Sequence, residues 1–156
     1  MEGLRWAIFE LRLEQTVEGS LVESLENLVD LNRRMARRAY EIELVVGEGV
    51  PSGLPEGREI VRIVQEALTN VRRHSGARHA RMELGVEGDA LLAEVSDDGR
   101  GFEAGLTRAG VGRHSMRQRA LGLGGEVELW SEPGWGTCVL CRVPLPDEDP
   151  PKEGDI

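Results

Sequence analysis

The chain predicts an α/β (α+β) two-layer sandwich, in which a mixed, largely antiparallel sheet carries helices packed on one face. Three observations point to it. Apolar residues recur at three and four over residues 20–39 and again over 55–74, the spacing of helices with one buried face. Alternating or apolar stretches flank turn signals at Gly88-Asp89 and at Pro133-Gly134-Trp135, which reads as two hairpins. Helical and strand segments then follow in the order αα-β-α-ββ-α-ββ, a mixture that fits one sheet with a helical layer.

Residues 4–13 are helical in pattern but too short to stand alone, so they read as the tail of a longer helix. Leu21, Leu25, Leu28 and Met35 stripe the helix over 20–39, with Arg33, Arg34, Arg37 and Arg38 near the end that suits cations. Ile42 to Val46 is a short strand, and Gly47–Pro55 is a loop by composition. Pro55 opens the long helix to about His74. Strands are predicted over 79–87, 90–96, 125–131 and 136–143, with an irregular glycine-rich span over 97–112 and a short helix over 113–123. The expected divisions are a truncated helix end over 1–15, a main domain over 16–146, and a disordered Pro- and acid-rich tail over 147–156.

A chain of 156 residues is one domain plus short extensions, long enough to bury a core without staples. Its formal charge of −9 repels phosphate backbones and argues against a nucleic-acid partner, although a local site can still be positive. No apolar run reaches the roughly 18 residues of a membrane span, and the start has no signal-peptide pattern. Direct membrane contact is not expected, and a reducing, cytoplasmic setting is. Cys138 and Cys141 form a C-x-x-C, but on a strand residues three apart point to opposite faces, which argues against a shared zinc or a disulfide.

Four segments carry candidate chemistry. On the helix over 55–74, Ile60, Val64, Ala67, Leu68 and Val71 share one face, while Arg62, Gln65, Thr69, Arg72 and Arg73 fall opposite and are expected in solvent. Glu66, Asn70 and His74 are four apart and stack along the border. An amide oxygen suits Mg²⁺ that keeps waters and phosphate oxygens, and a carboxylate one turn away suits orienting a nucleophile. In Asp97-Asp98-Gly99-Arg100-Gly101-Phe102, a carboxylate at a strand end can accept from an exocyclic amine, and glycines let backbone approach a flat ring. Gly110-Val111-Gly112 runs into a helix start, which suits phosphate, and Glu103–Ala109 has the length of a short mobile lid. Gly134-Trp135-Gly136-Thr137 makes a tight connection with a hydroxyl that can donate to phosphate. Each piece alone also fits a plain amphipathic helix, an Asp-Gly turn or a hairpin. The near-match Gly110-Val111-Gly112-Arg113-His114-Ser115 fails as a dinucleotide fingerprint, because no strand leads into it and Ser115 replaces the third glycine. No phosphate-binding G-x-x-x-x-G-K-[ST] is present.

With those segments in order, the sequence resembles the ATP-binding domain of sensor histidine kinases, within the Bergerat-type superfamily of gyrase, the Hsp90 chaperones and the MutL proteins. It looks most like the class partnered with LuxR-type response regulators. IVQEALTNVRRHSGA (63–77) matches that class's N box, and DDGRGF (97–102), GVGRHSMRQRA (110–120) and GWGTCV (134–139) match its three glycine boxes. AIFELRL (7–13) resembles the end of its dimerisation and phosphoacceptor helices. The resemblance implies ATP and Mg²⁺ as ligands. Asn70 would ligate the metal, Glu66 would be the catalytic acid of the N box, and His74 would lie near the phosphates. Asp97 would bind the adenine amine, with Gly99 and Gly101 shaping that wall. Gly110 and Gly112 would bound the lid, and Thr137 would close the pocket floor. The γ-phosphoryl group would pass to a histidine of a separate phosphoacceptor domain and on to a response regulator, and the full-length protein could be membrane-attached.

Three departures stand out. His74, His79 and His114 are the chain's histidines, so no phosphoacceptor lies in the N-terminal helix and self-phosphorylation is not expected. Arg113 replaces a usual leucine, and Ser115 a frequent glycine. Two alternatives stay open on these residues: a serine kinase of the anti-sigma-factor type, and a degenerate binding module.

Overall fold

The structure is a computed structural model that describes residues 20–36, 40–54, 57–102 and 111–146. Helix α1 spans Leu21–Ala36, strand β1 Glu41–Val46 and helix α2 Gly57–Asn70. Strands β2 (His79–Glu87) and β3 (Ala90–Asp97) follow, then helix α3 (Val111–Gly122) and strands β4 (Glu126–Glu132) and β5 (Gly136–Pro144). The sheet order is β1-β2-β3-β5-β4. β1 and β2 are parallel, as a crossover through α2 requires, and every other pair is antiparallel. This is the mixed two-layer sandwich that the pattern of elements predicts.

β5 enters between β3 and β4. The chain leaves the sheet after Asp97, crosses through α3 to the far edge, and returns by the β4–β5 hairpin. The end of β3 therefore lies beside the start of β5, with Asp97 opposite Thr137. Strand alternation then sends Leu91, Ala93 and Val95 of β3, and Val139, Cys141 and Val143 of β5, to the helical side, where they are buried. Met82 and Leu84 of β2 join them, against Leu25, Leu28 and Val29 of α1 and Ile60, Val64 and Leu68 of α2.

The Ser20 hydroxyl caps α1 by accepting the Glu23 N–H at 3.1 Å. Arg33 does more than face the helix end: its guanidinium donates to the Ile42 carbonyl at 2.9 and 3.2 Å and ties α1 to β1. Residues 37–39 of the expected first long helix, the fragment over 4–13 and the tail over 147–156 lie outside the described residues.

Two features of α2 differ from the sequence pattern. Gln65, expected in solvent, is buried; α2 packs against α1 and α3 as well as the sheet. Gly57 shows how near α1 comes: a Cβ there would stand 3.7 Å from the Leu21 side chain. The second difference is at the C-terminal end. The α-helix stops at Asn70, and Val71–Ser75 forms a π-helical turn closed by Gly76 in the left-handed conformation, φ +61°. The Ser75 hydroxyl donates to the Val71 carbonyl at 2.6 Å and accepts the Ala77 N–H at 3.0 Å, so a side chain holds the wider turn. At the other end, Arg119 of α3 pairs with Glu59 of α2 at 2.7 Å, which brings the last turn of α3 to the first turn of α2.

Candidate functional site

Asp97, Thr137 and Ser131 form a row across β3, β5 and β4 on the helical side of the sheet. Asp97 is half-buried, and burial is the main force raising its carboxyl pKa above the ordinary carboxylate range. The Gly99 N–H, which donates to Oδ1 at 2.8 Å, opposes that rise. The neighbouring Asp98 adds to it, and the Thr137 N–H opposes it. An anion kept partly out of water and held by two backbone donors has lone pairs left for a ligand that brings a donor of its own.

The turn after β3 packs on the turn after α2. The Arg100 N–H donates to the Ser75 carbonyl at 2.8 Å. Gly99 is required by this approach, since a Cβ there would sit 2.3 Å from the Ser75 carbonyl oxygen. Gly101 (φ +62°) lies against the Glu132 carbonyl, and the Gly134 N–H donates to the Arg100 carbonyl at 2.7 Å. The N-box helix, the first glycine box and the third are thus one connected structure.

Asp98 points the other way. Its carboxylate accepts the Arg78 and His79 N–H groups, each at 2.9 Å, and meets His79 Nδ1 at 2.9 Å. The His79 N–H is the largest cause that lowers its pKa from 3.8 to about 2, followed by the His79 ring. A depressed carboxylate stabilises the fold fully above its unfolded pKa and loses that contribution as pH falls through the folded value. Asp98→Asn is therefore expected to flatten the stability curve between pH 3.8 and about 2. The effect is modest, because the side chain is half exposed. Urea unfolding of both proteins across that window checks it, and superimposable curves would reject the role. An open groove of about 560 Å³, lined by Glu41, Glu43, His79, Arg81, Asp97 and Asp98 among others, adjoins this pair; it includes Asp97 but neither Asn70 nor Thr137.

Glu66 and Asn70 are both half-buried at the border of α2's apolar face, where the helical spacing places them. His74 lies one turn on, within the π-helical turn. Gly112 stands in the first turn of α3, and Gly110 lies outside the described residues. Among the described residues, no three His, Cys, Asp or Glu side chains cluster as a metal site. Cys138 and Cys141 occupy alternate faces of β5, as expected. Burial is the main force pushing each thiol up to about 11, and Glu94 and Asp97 add to it at Cys138. No described helix is long and apolar enough to cross a membrane.

Ser75 and Ser131 are absent from the sequence reading of the site. For Ser131 a signal existed: it is the third inward position of β4 after Val127 and Leu129, so it breaks an apolar alternation with a hydroxyl. Ser75 gave none beyond its place after the helix. The Thr137 hydroxyl lies 2.9 Å from Ser131 Oγ, a neighbour that its strand alone does not reveal.

Residues 56–147 match the model of the histidine kinase-, DNA gyrase B-, and HSP90-like ATPase family. The sensor histidine kinase LiaS of Bacillus subtilis is 36% identical over 144 residues, which are 90% of this chain and 39% of LiaS. The sensor protein VraS of Staphylococcus aureus is 32% identical over 149 residues, 94% of this chain and 42% of VraS. This chain thus spans about two-fifths of the length of these curated relatives. A solved histidine kinase domain, from the blue-light activated histidine kinase of Erythrobacter litoralis EL346, superposes with a TM-score of 0.67 at 25% identity, covering 81% of this chain and 61% of that one.

Proposed function

We propose, since this chain belongs to the histidine kinase-, DNA gyrase B-, and HSP90-like ATPase family, that it is the catalytic ATP-binding domain of a two-component sensor histidine kinase. The single observation that carries the adenine end is Asp97: a half-buried carboxylate, held by the Gly99 and Thr137 N–H groups, at the end of a strand on the helical side. It accepts from the adenine amine. Gly99 and Gly101 form the adjoining wall, where side chains do not fit.

The phosphates lie toward Asn70. Its half-buried amide oxygen suits Mg²⁺, and without a described carboxylate cluster the remaining ligands come from phosphate and water. When bound, the metal supplies charge neutralisation for the γ-phosphoryl group. Glu66, one turn earlier, faces the incoming nucleophile, and the N-box match assigns His74 a part near the phosphates. The first turn of α3, with Gly112, offers backbone N–H groups to phosphate. Gly110 and Gly112 bound the closing segment, and Thr137 closes the floor.

The acceptor is a histidine on a separate phosphoacceptor and dimerisation domain, to which residues 1–15 belong by their sequence, and a LuxR-type response regulator receives the group next. A cytoplasmic location follows for this domain, with the whole protein membrane-attached. Similarity to LiaS and VraS over most of the chain supports the histidine reading over a serine acceptor.

Calorimetric titration with ATP, with and without Mg²⁺, tests the pocket. The chain is expected to bind ATP more tightly with Mg²⁺, and Asn70→Ala to lose that gain. The absence of binding in both proteins would sink the nucleotide reading. Incubation with ATP and the phosphoacceptor domain is expected to give an acid-labile phosphohistidine; an acid-stable phosphoserine would overturn the acceptor.

A further inference from the structure

Ser131 makes more polar contacts to the glycine boxes than any role as a strand residue needs. Its Oγ accepts the Phe102 N–H at 2.9 Å, and Phe102 is the last described residue before the 103–110 span. The same oxygen lies 3.0 Å from the Gly136 carbonyl and 2.9 Å from Thr137 Oγ1.

Proton bookkeeping decides the direction of these bonds. A serine hydroxyl has one proton and two lone pairs. The Gly136 carbonyl cannot donate, so an oxygen pair 3.0 Å apart there needs the Ser131 proton between them. One lone pair of Ser131 takes the Phe102 N–H. The other is left for Thr137, so the Thr137 hydroxyl must be the donor in that pair. Its proton is then committed, and Thr137 Oγ1 has only lone pairs to offer elsewhere. It stands beside Asp97 across the β3–β5 ladder.

We propose that Ser131 is a positioning residue of the nucleotide pocket: it tethers Phe102 to the β4–β5 hairpin and holds Thr137 as an acceptor, so that Asp97 and Thr137 together select a ring bearing an amino group over one bearing a carbonyl. This rests on the nucleotide reading above. It gives Thr137 the opposite polarity from a donor to phosphate. At the 6-position a 6-amino purine brings two protons, whereas a 6-oxo purine brings only lone pairs, its one edge proton lying an atom away on N1.

The experiment compares ATP with inosine triphosphate, whose 6-position is a carbonyl, on the unsubstituted chain, Ser131→Ala and Ser131→Thr. The unsubstituted chain is expected to prefer ATP. In Ser131→Ala the Thr137 hydroxyl is free to turn and donate, so ATP binding weakens by about two- to tenfold, the worth of one neutral hydrogen bond. Inosine triphosphate binding holds or improves, which narrows the preference. Ser131→Thr keeps the hydroxyl and is expected to restore it. In the nucleotide-free protein, the Phe102 amide is expected to exchange with solvent faster in Ser131→Ala than in the unsubstituted chain. A parallel loss for both nucleotides, or no change, overturns the selective role, and an unchanged Phe102 amide overturns the tether. Failure of the unsubstituted chain to bind either nucleotide would show in that protein alone, and would overturn the pocket reading and this proposal with it.

Discussion

Asp97→Asn is expected to weaken ATP binding by roughly 100-fold, about 3 kcal/mol, while leaving the fold intact. The carboxylate accepts the Gly99 and Thr137 N–H groups and keeps lone pairs for the ligand. An asparagine must point its single oxygen at those backbone donors, which turns its NH₂ toward the ring amine. A charge-assisted bond is lost and two donors are set against each other. Stability should change little or rise, because burial disfavours the ionised Asp97 and the amide carries no charge. Fluorescence or calorimetric titration with ATP, alongside a urea unfolding curve, separates the two effects. Retained ATP affinity in a folded Asp97→Asn protein would remove Asp97 from the pocket.

Gly136→Ala is expected to cost about 3 kcal/mol of stability, near the upper end for a single substitution. Gly136 has φ +88°, where an L side chain is strained, and its Cβ would stand 2.0 Å from the Asp97 carbonyl oxygen. Neither partner can give way, because both are backbone in the β3–β5 ladder. Gly134→Ala is the control: φ is similar at +84°, yet nothing lies within 4 Å of its Cβ. It should cost about 1 kcal/mol, the conformational part alone. Urea midpoints measure both, and equal losses would show that the clash is relieved. Gly136→Ala should also displace Asp97 and weaken ATP binding, which Gly134→Ala should not.

Most of the fold was legible because its signals are local. The period of the apolar residues over 57–70, the alternation in β2, β3 and β5, and the turns at Gly88-Asp89 and Pro133-Gly134-Trp135 each depend on residues within a few positions of one another. Glu66 and Asn70 share a stripe by helical spacing alone. Asp97 was legible as a carboxylate at the end of an apolar strand. The end of α2 was less so. A π-helical turn keeps the helical pattern in sequence, and only the bonds of Ser75 to Val71 and Ala77 reveal the wider turn. Gln65 sits on what periodicity marks as the solvent side, yet it is buried, and the helices that pack against α2 belong to distant parts of the chain.

The sequence by itself determined the two-layer class, the positions of the helices and strands, and the residue types suited to a nucleotide, since each follows from propensity, periodicity or chemistry read within one segment. Only the tertiary structure decided which segments touch. Phe102 and Ser131 are 29 residues apart, and they meet because β5 inserts between β3 and β4. That topology sets Asp97, Thr137 and Ser131 in one row, with the Ser131 and Thr137 hydroxyls 2.9 Å apart. A hydrogen bond's direction depends on every donor and acceptor around it, and those neighbours come together only once the sheet has closed around them.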